Sequence, residues 1–154
     1  DGSYLMMSSE IVTSVQEGYK LIIVLINNHG YASIGGLSKS LGSEGFGTQY
    51  RYRMPETGGL DGSRLPVDLA ANDESLGAVV LQAQNEADFQ EALKKSKQAA
   101  GTTVIYIETP PERKMAGYGH AWWEVPVSQV SESESIREAR ERHVANKKQQ
   151  RLHL

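Results

Sequence analysis

Residues 21–30 read Leu-Ile-Ile-Val-Leu-Ile-Asn-Asn-His-Gly, an aliphatic run that ends in polar, turn-forming residues. The unbroken run predicts a strand that is buried on both faces, as strands of parallel sheets are. Asp1-Gly2-Ser3 lies upstream, separated from the run by a segment with apolar residues at helical spacing. If a strand also precedes Asp1, the whole is a βαβ unit. Its right-handed crossover then places Asp1 and Asn28 at the same carboxyl edge of the sheet.

Three oxygen donors would meet at this edge. Asp1 offers a carboxylate, Asn28 a carboxamide oxygen and Gly30 a main-chain carbonyl. Hard oxygen ligands suit Mg²⁺ or Ca²⁺, and Mg²⁺ usually takes its remaining ligands from water and substrate phosphates. Taken singly, Asp-Gly and Asn-Asn-x-Gly are more often ordinary turns. The prediction of a metal and phosphate site therefore depends on their separation in the chain.

Asp1-Gly2-Ser3, followed at this spacing by Asn27-Asn28, resembles the metal and diphosphate motif of thiamine-diphosphate enzymes. The resemblance implies thiamine diphosphate and Mg²⁺ as cofactors. The metal ligands that it implies are Asp1, Asn28 and Gly30, and the residues close to the diphosphate are Gly2 and Ser3. The motif normally begins with a further Gly, which is absent here. We therefore expect the strand that leads into Asp1 to be missing, and the chain to be the carboxyl-terminal piece of a longer enzyme.

Beyond the motif, the chain alternates helices and strands. Helices are predicted at 66–76 and 85–100, and strands at 78–81 and 102–107. Gly77 and Asn85 are typical residues for ending and starting a helix. This order predicts an α/β fold with a doubly wound, mainly parallel sheet and flanking helices. The resemblance makes it the thiamine-diphosphate-binding fold, incomplete at its N-terminus.

A long glycine-rich stretch, residues 42–66, interrupts this alternation. Its length is typical of a lid, a binding loop or a disordered segment. Arg51 and Arg53 within it could pair with an anionic or polyhydroxylated ligand. They could equally be surface arginines on an irregular segment, and the sequence favours neither interpretation.

A change of pattern divides the chain into a cofactor-binding domain, residues 1–128, and a charged helical tail, residues 129–154. The helix predicted at 134–150 has few apolar positions. We expect it to lie in solvent or to pack through a narrow stripe on a partner subunit.

Two aromatic residues and two histidines stand outside these elements. Trp122 and Trp123 are expected to anchor the tail by burial rather than to stack on a ligand. His29 is expected to point outward from its loop, although a histidine there could also act as an acid or base. His120 has no partner that the sequence identifies.

The choice among thiamine-diphosphate enzymes rests on residues outside the motif. Residues 31–43, 45–48, 50–53 and 122–127 are similar to trihydroxycyclohexanedione hydrolases of myo-inositol catabolism. That resemblance implies hydrolytic opening of a cyclic polyhydroxy 1,2-diketone, which gives 5-deoxyglucuronate. Acetolactate synthases usually carry a Gln-Trp-Gln stretch after the Asn-Asn element, and this sequence lacks it. Another lyase or synthase of that type and a non-catalytic module with the same fold stay open as alternatives.

The resemblance also implies an active site that is split between domains. In these enzymes a glutamate that activates the aminopyrimidine comes from another domain, usually on the neighbouring subunit. The expected partners are therefore a small-molecule substrate, the other domains of the same enzyme and a second subunit of a homo-oligomer. No catalytic residue is assigned in this chain.

Composition restricts the class of protein. The 154 residues are 39% hydrophobic, which suits one domain with a normal core. A net charge of −3 argues against a general nucleic-acid binder, and no apolar run approaches the length of a membrane span. The lack of cysteine excludes disulfides and thiolate metal sites. Cytoplasm is the expected location.

Overall fold

The computed structural model describes residues 1–110 and 127–149. Its helices are α1 (Gly2–Met7), α2 (Glu10–Gln16), α3 (Ala32–Ser40), α4 (Leu69–Ser75), α5 (Glu86–Gln98) and α6 (Glu134–Lys147). Its strands are β1 (Ile22–Asn27), β2 (Val79–Ala83) and β3 (Thr103–Glu108). The strands form one parallel sheet in the order β1-β3-β2. The predicted α/β fold with a parallel sheet, flanking helices and a C-terminal helix is confirmed.

Helices cover both faces of the sheet. Residues of α2 and α4 pack on one face, where Ile11 and Leu69 join Leu25 and Val104 in a buried cluster. On the opposite face, α5 contributes Ala92 to a second cluster. The sheet is thus doubly wound, and the carboxyl ends of its three strands lie at one edge.

Strand β1 is less buried than its sequence predicts. Leu25 is buried, but Ile22, Val24 and Ile26 are 38%, 43% and 48% exposed. Their side chains share the face on which α5 packs, and α5 contacts β2 and β3. The expectation of burial on both faces is wrong for β1, because this helix covers only the part of the sheet formed by the other two strands.

The first helical segment is divided by a turn at Ser8 and Ser9, where the sequence predicts one helix. Helices α5 and α6 begin where the sequence predicts, whereas α4 begins at Leu69 rather than at residue 66, and the sequence does not predict α3. Asn85 accepts a hydrogen bond from the Asp88 main-chain N–H (3.0 Å), which fixes the start of α5. Gly77, which follows α4, has φ of 100°, a conformation that suits glycine at a helix end.

The outer edge of β1 has no strand partner within residues 1–110 and 127–149. A groove of about 400 Å³ runs along this edge, between β1 and the helices α1 and α2. The main-chain nitrogen of Asp1 donates to the Ile26 carbonyl oxygen (2.9 Å) at the end of the groove. This contact fixes Asp1 beside the carboxyl end of β1, as the βαβ interpretation requires.

The tail helix α6 contacts the beginning of the long stretch 42–66 at Gly42. The Ser135 hydroxyl donates to the Gly42 carbonyl oxygen (2.6 Å), and the Arg140 guanidinium donates to the Val127 carbonyl oxygen (3.1 Å). The boundary proposed at residue 128 stays a prediction. Among the described helices, none has the length and apolar character needed to cross a bilayer.

Helix α1 is joined to α4 beside a buried acid. The Tyr4 hydroxyl donates to the Asn72 side-chain oxygen (2.7 Å). The neighbouring Asp73 is 0% exposed, and neither of its carboxylate oxygens has a hydrogen-bond partner among the described residues. Burial raises the pKa of Asp73, and the nearby Tyr4 hydroxyl offsets only part of that rise. Ionised Asp73 therefore destabilises the fold.

Asp73→Asn should increase the free energy of unfolding at pH 7 by about 1–3 kcal/mol, because a neutral amide loses less hydration on burial than a carboxylate does. The folded protein holds the Asp73 proton more tightly than the unfolded chain does. Stability therefore falls as the pH rises from the ordinary Asp pKa of about 4 through the raised value. Below that range the carboxyl is protonated in both states, so the difference between the proteins should shrink. Urea unfolding at several pH values measures it.

Glu74→Gln is the matched control, since Glu74 is exposed in the same helix. It should leave stability within about 0.5 kcal/mol of the parent at every pH. An Asp73→Asn protein that is no more stable than the parent at pH 7 would contradict this account of the buried acid.

Candidate functional site

Asp1 and Gly30 meet at the carboxyl edge of β1, although 29 positions separate them in the sequence. The Asp1 carboxylate accepts from the Gly30 main-chain N–H through Oδ2 (2.9 Å) and from the Gly2 N–H through Oδ1 (2.9 Å). The second bond caps the start of α1. Asp1 is therefore held from two sides, by its own helix and by the turn after β1.

The Asn28 side chain completes this group. One terminal atom of its amide lies 3.0 Å from the Gly30 carbonyl oxygen and 3.2 Å from Asp1 Oδ1. With the amide nitrogen in that place, Asn28 donates to both oxygens. With the amide oxygen there, three oxygen atoms face one another without a proton between them, which is stable only with a cation present. The structure brings together the three donors that the sequence predicts as metal ligands.

The donor types decide which ion could occupy such a place. The described ranges contain no group of three or more His, Cys, Asp or Glu side chains that is arranged to hold a metal ion. One carboxylate, one amide and one main-chain carbonyl form an all-oxygen set with a single charge. Mg²⁺ accepts such a set when water and phosphate supply the remaining ligands, whereas soft metals prefer sulfur or imidazole. Asp1, Asn28 and Gly30 fit a hard cation that is shared with a phosphate.

The turn between β1 and α3 has an unusual backbone. His29 has φ of 61°, in the left-handed region that residues other than glycine seldom adopt. Its main-chain N–H donates to the Asn27 side-chain oxygen (3.0 Å), so Asn27 closes the turn on itself. This reversal of the chain brings the Asn28 amide and the Gly30 carbonyl to the same side.

The His29 side chain does not point outward, so that expectation is wrong. It is 19% exposed, and Nε2 lies 2.6 Å from Glu108 Oε1 at the end of β3. A carboxylate is only an acceptor, so the ring N–H donates to it. Sequence reasoning missed Glu108, because chain order does not reveal that β3 lies next to β1.

Segment 48–50 of the long stretch packs against the turn. The Tyr31 main-chain N–H donates to the Thr48 carbonyl oxygen (2.8 Å), and the Tyr50 N–H donates to the His29 carbonyl oxygen (2.9 Å). Gly30 lies between these two bonds. A Cβ atom at residue 30 would overlap the Thr48 carbonyl oxygen and would lie 2.8 Å from Gln49 Cα. Only glycine fits this close approach of two backbones.

Gly30→Ala should therefore displace the turn from segment 48–50. We expect a loss of about 1–3 kcal/mol in stability from overpacking. We also expect Mg²⁺ affinity to fall by a factor of about 10 to 100, the range seen when support of metal ligands is lost. Calorimetric titration of Mg²⁺ in the presence of thiamine diphosphate would measure the second effect.

Gly36→Ala is a suitable control, because a Cβ atom at residue 36 of α3 would meet nothing within 4 Å. Equal Mg²⁺ affinity in the two alanine variants would show that the close packing at Gly30 has no role in the site.

Gly2 and Ser3, the residues predicted to lie near a diphosphate, differ in their surroundings. Gly2 is buried, and its Cα faces the Tyr31 ring so closely that a Cβ atom could not be added. Ser3 is exposed at the start of α1 and lines the groove beside β1. Their role near a phosphate stays a prediction.

Arg51 and Arg53 both contribute to the structure of the long stretch itself. Arg51 donates to the Gln49 side-chain oxygen (2.8 Å) and to the Gly62 carbonyl oxygen (2.9 Å). Arg53 donates to the Gly58 carbonyl oxygen and lies 5.8 Å from the centre of the Phe46 ring. These contacts favour the structural interpretation of the two arginines. A lid function for residues 42–66 stays a prediction, and His120, Trp122 and Trp123 lie outside the described residues.

Comparison with known proteins gives consistent results. Residues 1–107 match the family model described as "Thiamine pyrophosphate enzyme, C-terminal TPP binding domain". The chain is 39% identical over 146 residues to 3D-(3,5/4)-trihydroxycyclohexane-1,2-dione hydrolase 2 of Bacillus cereus. It is 38% identical over 151 residues to 3D-(3,5/4)-trihydroxycyclohexane-1,2-dione hydrolases from another strain of Bacillus cereus and from Bacillus anthracis.

These alignments cover 95% and 98% of this chain but only 22% and 23% of the Bacillus relatives. The chain thus spans less than a quarter of the length of the relatives that it matches. No solved structure gave a significant match.

Proposed function

This chain belongs to the thiamine pyrophosphate enzymes through their C-terminal TPP-binding domain, and on that premise we propose that it provides the diphosphate half of a Mg²⁺–thiamine diphosphate site. The enzyme that we propose opens the ring of 3D-(3,5/4)-trihydroxycyclohexane-1,2-dione to give 5-deoxyglucuronate in myo-inositol catabolism. The relatives that carry the corresponding name support this choice of substrate.

The convergence of Asp1, Asn28 and Gly30 at the end of β1 is the observation that carries the proposal. With the Asn28 amide oxygen turned towards them, neighbouring donors lie 3.0 and 3.2 Å apart. This is close to the roughly 2.9 Å between adjacent ligands of an octahedral Mg²⁺ with ligands at about 2.0–2.1 Å. Asp1 provides the negative charge, and the other two ligands are neutral. A Mg²⁺ ion held by these residues keeps a net positive charge, so it can still attract the two phosphates of the cofactor.

The residues of this chain act by binding and orientation. When bound, thiamine diphosphate supplies the carbanion chemistry of C–C bond cleavage. Asp1 and Asn28 would fix the metal, and the metal would fix the diphosphate against the sheet edge. By holding the cofactor at its diphosphate end, Asp1 and Asn28 would limit the orientations open to it, which would lower the entropic part of the barrier. We assign no acid or base to the chain.

The other half of the site would come from elsewhere. We propose that a strand leading into Asp1 pairs with the free edge of β1, and that further domains and a second subunit of a homo-oligomer supply the activating glutamate and the pyrimidine pocket. Two observations support this arrangement: the edge of β1 that is unpaired within residues 1–110 and 127–149, and the greater length of the relatives. We further propose a cytoplasmic location.

Product analysis tests the proposed reaction. The complete enzyme, loaded with Mg²⁺ and thiamine diphosphate, is incubated in parallel with the cyclic diketone and with pyruvate. We expect 5-deoxyglucuronate from the first and no acetolactate from the second. Acetolactate formation would favour a synthase instead, and failure to bind the cofactor in the presence of Mg²⁺ would favour a non-catalytic module.

A further inference from the structure

Besides Asp1 and segment 48–50, strand β3 also holds the turn that carries two of the three candidate metal ligands. Asn27 is 1% exposed, and both terminal atoms of its side chain are hydrogen-bonded. Its Nδ2 donates to the Tyr106 hydroxyl (2.7 Å) and its Oδ1 accepts from the His29 N–H (3.0 Å). The Asn27 carbonyl oxygen accepts from the Thr109 N–H (2.8 Å). Asn27 therefore links the turn to β3 rather than serving as a metal ligand.

A second link joins the same two elements. The His29 ring donates to Glu108, and His29 is the residue with φ of 61° between Asn28 and Gly30. A non-glycine residue in this conformation costs roughly 1–3 kcal/mol and persists where the surroundings hold it. Tyr106 and Glu108 are two positions apart in β3, so their side chains lie on the same face of the sheet. Both reach the turn from β3, through Asn27 and His29.

We propose that Tyr106 and Glu108 are positioning residues for the cation site, acting on Asn28 and Gly30 through Asn27 and His29. This inference rests on the proposed Mg²⁺ function of those ligands. Strand β3 holds the turn in the conformation in which His29 has a positive φ, so the candidate ligands are already arranged before a cation binds. Loss of either link should let the turn relax, and the cation would then have to reorganise it on binding.

The test measures the Mg²⁺ concentration that half-saturates thiamine diphosphate binding to the complete enzyme, followed by calorimetry. Glu108→Ala should raise this concentration about tenfold. Loss of a residue that orients metal ligands typically costs about 10- to 100-fold in affinity, and we expect the lower end of that range because Glu108 is partly solvated. Tyr106→Phe, which removes only the hydroxyl bonded to Asn27, should raise it several-fold. Glu108→Gln keeps an acceptor for the His29 ring and should restore most of the affinity.

Two further readouts separate positioning from other roles. The melting temperature without metal and cofactor should stay close to that of the parent, because Glu108 has a 59% exposed side chain. Turnover of Glu108→Ala should recover at saturating Mg²⁺, which an acid–base role would not allow. Glu91→Ala is the matched control. It also removes an exposed glutamate, but this one lies on α5, where its Oε1 is 3.8 Å from Lys95 Nζ.

Unchanged Mg²⁺ dependence in Glu108→Ala and Tyr106→Phe would overturn the inference, provided that the parent enzyme requires Mg²⁺. The inference would also be overturned if turnover stayed low at saturating Mg²⁺, or if a fall in melting temperature accounted for the whole effect. Cofactor binding by the parent without any divalent cation would instead contradict the proposed function on which the inference depends. The parent titration therefore tells the two failures apart.

Discussion

Asp1→Ala in the complete enzyme should weaken thiamine diphosphate binding by about 100-fold or more, beyond the 10- to 100-fold typical of residues that only support a metal ligand. Asp1 is the only charged member of the candidate ligand set, and its carboxylate also accepts from Gly2 and Gly30. Its removal would take away the negative charge that we propose for the metal site, and with it the contact that joins α1 to the turn. Added Mg²⁺ should restore binding only in part.

Asn28→Ala would remove a proposed neutral ligand without affecting the cap of α1, so it should weaken binding less than Asp1→Ala does. Calorimetry or cofactor-induced fluorescence change at several Mg²⁺ concentrations measures both variants. A suitable control is Asp61→Ala, which removes an exposed carboxylate from the long stretch. Parental affinity in both the Asp1 and the Asn28 variant would mean that these residues form ordinary turns and bind no metal.

Residues 1–154 produced alone should neither hydrolyse the cyclic diketone nor bind thiamine diphosphate tightly, whereas we expect the complete enzyme to do both. Among the described residues, the outer edge of β1 is unpaired, so no strand fixes Asp1 from its N-terminal side. We assign no acid–base group to the chain. Loss of one such group commonly lowers the rate by a factor of about 10² to 10⁴, and loss of cofactor orientation adds to it. Turnover should therefore lie near background.

The assay compares the 154-residue chain with the complete enzyme at saturating Mg²⁺ and cofactor. Circular dichroism of the short chain is measured in parallel, to show whether a lack of turnover comes from an unfolded protein. Comparable turnover by a folded short chain would overturn the split-site proposal. The missing acid or base would then have to be sought within the chain, beginning with His29 and His120.

Features that depend on local sequence are predictable. The aliphatic run at 21–26 corresponds to strand β1, and Asn85 and Gly77 mark helix ends as their residue types predict. The meeting of Asp1 with the turn after β1 is also predictable, since the two strands of a βαβ unit are parallel and their carboxyl ends lie at the same edge of the sheet.

Features that depend on long-range pairing are not predictable in this way. Chain order gives β1, β2, β3, but β3 lies between the other two. Glu108 and Tyr106 therefore reach the turn after β1, and no local pattern reveals this. The pairing of Gly30 with Gln49 is likewise a long-range backbone contact within a stretch that has no periodic pattern. The exposed face of β1 escapes prediction because an aliphatic run does not tell which helix will cover it.

A crystal structure of the complete enzyme with thiamine diphosphate and Mn²⁺ would test the central claim most directly, because Mn²⁺ accepts the same octahedral oxygen sites as Mg²⁺ and can be located by its anomalous scattering. We predict one Mn²⁺ peak per chain, bound by Asp1, by the Asn28 side-chain oxygen and by the Gly30 carbonyl, with both cofactor phosphates as further ligands. A peak held by other residues, or cofactor bound without a metal at this edge of the sheet, would contradict the account.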